Sequence, residues 1–84
     1  MKNKVLINLY VSVIDEEYEI FIPVNESIRK VIDLIIKSIM EISDNALPMH
    51  NDYCLMDPET SVIYDFSTIV RNTNIRNNKK VVLF

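Results

Sequence analysis

Apolar and polar residues alternate along the first two dozen positions. Val5, Ile7, Leu9, Val11 and Val13 fall on one side of an extended chain, and that period of two predicts a half-buried strand from about Lys4 to Val13. The polar turn Asp15-Glu16-Glu17 leads into a second alternating run from Tyr18 to Val24. There Tyr18, Ile20, Ile22 and Val24 share one face, and Glu19 and Phe21 share the other. Two such runs joined by a short acidic turn predict a hairpin.

The period then changes. In "VNESIRKVIDLIIKSIMEISDN" the residues Ile28, Val31, Ile32, Ile35, Ile39 and Ile42 recur every three or four positions. Arg29, Lys30, Asp33, Lys37 and Glu41 take the opposite side, as in an amphipathic helix. Asn25 and Ser27 are both N-cap candidates; Asp44-Asn45 and then Pro48 end the helix. Isoleucine is a middling helix former, so burial of the stripe has to decide its conformation. Leu34, Ile36 and Met40 flank that stripe as a wider core face or a second, weaker contact surface.

After a loop containing Leu47-Pro48-Met49, the short apolar runs "YCLM" and "SVIY" flank "DPET". Asp-Pro is a turn former, so a second hairpin is predicted. The segment "DFSTIVRNTNI" is irregular, with Ile69 and Ile75 expected to dip into the core. "KKVVLF" reads as a last strand.

Composition changes this picture in few places. The 84 residues carry nine basic and twelve acidic side chains, a net charge of −3, and predict a single domain over residues 1–84. The basic residues are scattered, which argues against nucleic acid as a partner, because phosphate binding needs a concentrated positive surface. Glycine is absent, where ordinary usage would supply about six. Positive-φ positions therefore fall to Asn and Asp, at Asp44-Asn45, Asn51-Asp52, Asn72, Asn74 and Asn77-Asn78. The lone Cys54 excludes an internal disulfide and suits a reducing cytoplasm. Lys2 and Lys4 before an apolar stretch resemble the start of a signal peptide. Asn8 and Ser12 interrupt that stretch, however, and a strand fits it better. No apolar run is long enough to span a bilayer, so no direct membrane insertion is expected.

Candidate chemistry is sparse. Cys54 and His50 could pair a nucleophile with a base, but the sequence offers no orienting third group. His50, Asp52 and Cys54 form a mixed hard and soft set that is a poor metal site. Asp15, Glu16 and Glu17, crowded at a hairpin tip, read as ordinary solvated acids. A glycine-rich phosphate loop is impossible here. The expectation is a protein without catalytic residues, cofactor or metal.

Strand, strand, helix, strand, strand, irregular turn and strand have few arrangements that bury one helix stripe. The order predicts an α+β fold, a β-grasp (ubiquitin-like) mixed sheet with one helix across one face. "STIVRNTNIRNNKKVVLF" resembles the closing segment of ubiquitin. The chain is more similar still to the YukD/EsaB-type ubiquitin-like proteins of bacterial type VII secretion systems. "YEIFIPVNESIRKVIDLIIKSI" looks like their second strand and helix, and "NIRNNKKVVLF" like their ending, with Asn78 where members often place Gly. The resemblance implies that the last strand lies mid-sheet beside the first, apolar on both faces. It also implies that a chain stopping at Phe84, without a Gly-Gly tail, is not a conjugated tag or sulfur carrier unless the native chain continues past Phe84. A carrier-type relative that has lost that tail is one alternative.

Such a sheet leaves one face open. With Val81 and Leu83 turned inward, Leu6, Tyr10, Phe21, Val82 and Phe84 gather outside as a candidate protein-interaction patch. Asn8, Glu19 and the stem of Lys4 could instead break up and cover it. The resemblance implies a cytoplasmic adaptor whose protein partners are cytoplasmic parts of a membrane secretion machine. A homodimer through the same patch is the competing expectation.

Overall fold

The computed structural model describes residues 3–42, 47–48 and 52–84. Strand β1 (Lys4–Val11) pairs antiparallel with β2 (Glu16–Pro23), in a register that sets Leu6 opposite Phe21 and Tyr10 opposite Glu17. Helix α1 (Ile28–Ile42) follows, then β3 (Leu55–Asp57), β4 (Val62–Ile63), a 3-10 turn (Val70–Asn72) and β5 (Lys79–Leu83). Among the described residues these strands form one mixed sheet in the order β2-β1-β5-β3-β4. The last strand lies at its centre, parallel to β1 and antiparallel to β3. The fold is the α+β β-grasp.

Burial follows the alternation. Ile7, Leu9, Val11 and Ile22 meet Ile28, Val31, Ile32, Ile35 and Ile39 of the helix, and Leu55, Val81 and Leu83 complete the core. Val81 and Leu83 do face inward, while Val82 is half-buried on the other side. Burying each such aliphatic side chain contributes about 1.5–3 kcal/mol. Val70 and Ile75 close the core from the irregular segment; Ile69 is only half-buried and bridges to Ser27. Ile36 and Met40 pack against the core as a wide helix face, and Leu34 stays exposed.

Ser27 is the helix cap. Its Oγ accepts the Lys30 N–H at 3.2 Å and its carbonyl accepts that of Val31 at 2.9 Å, satisfying donors that the first turn leaves unpaired. Asn25 has another task, accepting a hydrogen bond from the Arg71 guanidinium at 2.8 Å.

Several expectations need correction. β1 ends at Val11, because the Ile14 N–H turns back to the Val11 carbonyl and the Asp15 N–H to that of Ser12. Val13 therefore lies in the turn and is exposed. The hairpin tip is Ser12 to Asp15, and Glu16 and Glu17 belong to β2. Ile42 is not in the buried stripe: it ends the helix 64% exposed. Positive φ occurs at Asp15, Ser61 and Asn78 among the described residues, so Asn72, Asn74 and Asn77 take no left-handed conformation. Asp44, Asn45, Met49, His50 and Asn51 lie outside the described residues, and with them the expected helix stop.

Candidate protein-docking face

With the helix on one side of the sheet, β1 shows its even-numbered residues to the other, and register lines them up with their neighbours. Tyr10 lies opposite Glu17 on one flank and Val82 on the other; Val82 is opposite Met56, and Met56 opposite Ile63. The result is a row, Glu17-Tyr10-Val82-Met56-Ile63, apolar over four strands. A second row is polar: Glu19, Asn8 and Lys80. A third starts with Phe21 and Leu6. Phe84 exchanges two backbone hydrogen bonds with Cys54, at 2.8 and 3.0 Å, just beyond the Val82 pairing.

The structure thus divides the predicted patch in two. Tyr10 and Val82 are cross-strand neighbours, with Phe84 two residues on, just past the end of β5. Leu6 and Phe21 are a separate pair on the far side of the Glu19-Asn8-Lys80 row. Phe21 and Phe84 are 52% and 42% exposed, and Leu6, Tyr10 and Val82 are half-buried. Met56 and Ile63 extend the apolar row and were missed, because two strands of three and two residues are too short to show a period. The signal was there in "YCLM": with Leu55 inward, Met56 must point out.

Between the rows lies a shallow depression of about 760 Å³, bordered by Asn8, Tyr10, Glu17, Glu19, Lys80 and Val82. The Tyr10 hydroxyl donates to Asp15 Oδ1 at 2.7 Å, which fixes the ring over the turn. That bond, partial desolvation and the charges of Asp15 and Glu17 raise the phenol pKa above its usual value.

A second polar feature sits at the other end of the sheet. Asp57 is 2% exposed. Its Oδ1 accepts from Lys79 Nζ at 2.9 Å and from the Glu59 N–H at 2.9 Å, and its Oδ2 from Asn74 Nδ2 at 2.7 Å. The Asn74 side-chain oxygen in turn accepts the Tyr64 hydroxyl at 2.7 Å. The Lys79 and Asn74 bonds bring the Asp57 pKa down to about 2. Burial, with the Asp57 and Glu59 charges, pushes Tyr64 up to about 12. Both carboxylate oxygens are hydrogen-bonded, and these bonds clamp the β3–β4 turn to β5.

The other candidates resolve simply. Cys54 is half-buried and sends its thiol to the Asp52 carbonyl at 3.7 Å; His50, its candidate base, lies outside the described residues. Glu16 and Glu17 are successive strand residues and so point to opposite faces, which separates the acids of the turn. Among the described residues no group of three His, Cys, Asp or Glu side chains is placed to hold a metal ion. No described helix is long and apolar enough to cross a membrane.

At the level of sequence, no family model matches the chain, and no curated protein is significantly similar to it. Solved structures are similar in fold. The "Ubiquitin-like domain of the mycobacterium tuberculosis type VII secretion system protein ECCD1" matches with a TM-score of 0.74 at 8% identity, over 95% of this chain and 96% of that one. A chain of the "MycP5-free ESX-5 inner membrane complex" matches with a TM-score of 0.76 at 9% identity; the match spans 98% of this chain and 21% of that larger one. A structure described as "Molecular Mimicry of SUMO promotes DNA repair" matches with a TM-score of 0.72 at 20% identity, over 98% and 91% of the two chains. The fold also recurs in a chain of a toluene 4-monooxygenase complex, with a TM-score of 0.74 at 5% identity. These likenesses establish a ubiquitin-like fold, and that fold serves more than one kind of assembly.

Proposed function

We propose that this chain is a non-catalytic, cytoplasmic adaptor of the YukD/EsaB type, docking through its open sheet face on protein components of a bacterial type VII secretion system. One observation carries the reading: the row Tyr10-Val82-Met56-Ile63 crosses four strands with no element of the described chain over it. A contiguous apolar strip with an aromatic residue, Tyr10, at one end is what a protein interface is built on, whereas scattered apolar residues are not. Tyr10 and Phe84 serve as anchors on one side of the polar row, and Leu6 with Phe21 on the other. The likeness to the EccD1 domain and to a chain of the ESX-5 inner membrane complex supports the choice of secretion system.

The test compares tagged wild-type protein with a Tyr10→Ala/Phe84→Ala variant in co-purification with the type VII membrane components of the source cell. Loss of capture by the variant, with unchanged amide spectra elsewhere, is expected. Equal capture by both would remove the assigned face. Sedimentation separates the adaptor from a self-pairing module: an adaptor stays monomeric until its partner is added.

A further inference from the structure

The open face is electrically one-sided. Glu17 and Glu19 stand on β2 along one wall of the depression, and Lys80 stands on β5 along the other. Asp15 adds a third carboxylate above Tyr10. None of the three is neutralised within the fold: among the described residues the ion pairs are those of Lys79 with Asp57 and Glu59. Lys80 is two strands away from Glu19, with Asn8 between them, a separation of roughly 10 Å at ordinary strand spacing. No ion pair joins them among the described residues. One cation against three carboxylates repels phosphate and other anions and attracts a positive group.

This wall runs beside the apolar row. We propose that the open face takes a basic-apolar peptide segment of its partner, with an arginine seated between Glu17 and Glu19 and its apolar neighbours on Val82 and Met56. The inference rests on the reading of this face as a docking surface and adds the partner's chemistry. Arginine suits the site better than lysine, because its planar fork can bond two carboxylates while its flat face lies on the Tyr10 ring. An acidic or phosphorylated segment is excluded by the same charges.

The experiment uses a displayed random dodecapeptide library, selected on the wild-type chain and separately on a Glu17→Gln/Glu19→Gln variant. Wild-type protein is expected to enrich arginine flanked by apolar residues. The selected peptides should bind the Gln variant roughly tenfold more weakly, the equivalent of one charge-assisted contact. They should also fail to bind Tyr10→Ala/Phe84→Ala. Peptides that need Tyr10 and Phe84 but show no basic preference would overturn the partner chemistry and leave the docking face standing. Peptides that bind all three proteins alike would overturn both. A library that yields no binder to the wild-type face counts against the inference as well.

Discussion

At Asp57 a single carboxylate ties its own turn, through Glu59, to Asn74 and Lys79 further along the chain. Its pKa of about 2 lies below the ordinary carboxylate value of 3.8. The ionised form therefore stabilises the fold above about pH 4, and that contribution is lost as the pH falls towards 2. Urea denaturation of wild type should show stability declining across this window. Asp57→Asn should be less stable at neutral pH and should lose that part of the acid dependence. A variant as stable as wild type at pH 7 would mean that the clamp is dispensable. Asn78 is the other informative position. With φ of 68° it holds a conformation that glycine tolerates best, while its N–H reaches the Leu6 carbonyl at 2.7 Å. Asn78→Val should cost about 1–2 kcal/mol, and Asn78→Gly should cost little, as measured by denaturation midpoints. Asn78 was legible from the absence of glycine and its place before the last strand. Asp57 was not: it reads as a turn residue in "DPET", and its partners Asn74 and Lys79 are found only when the chain folds.

At the scale of elements, α1 shows where periodicity is sufficient and where it fails. The three-and-four spacing identified Ile28, Val31, Ile32, Ile35 and Ile39 as the buried side, and all five are. The same spacing includes Ile42, which ends the helix exposed. Ile35→Ala should therefore cost about 2–5 kcal/mol through the cavity it leaves, and Ile42→Ala no more than about 0.5 kcal/mol. Equal losses in thermal denaturation would place the helix differently on the sheet. Ser27→Ala should cost about 1 kcal/mol by removing the cap. The β1–β2 hairpin carries the same lesson. Alternation identified the faces of both strands, but the turn was misplaced by about two residues. A period of two continues unbroken through Val13, while the hydrogen bonds that stop the strand are local backbone geometry.

For the molecule as a whole, the central position of β5 orders everything else. Paired with β1 on one side and β3 on the other, the Val81, Val82 and Leu83 amides should exchange among the slowest in the chain, near the global opening rate. Fast exchange there, read by hydrogen-exchange NMR, would contradict the sheet order. That order also builds the docking face: it puts Val82 between Tyr10 and Met56, and Lys80 across from Glu19. The amino-acid sequence by itself determined the order of strands and helix and, along β1, β2 and most of α1, which side is apolar, because periodicity and turn chemistry are local properties of the chain. Only the tertiary structure decided which apolar side chains stand next to one another outside the core and where a carboxylate finds its lysine. Those neighbours come from strands tens of residues apart, and nothing short of the sheet's register brings them together.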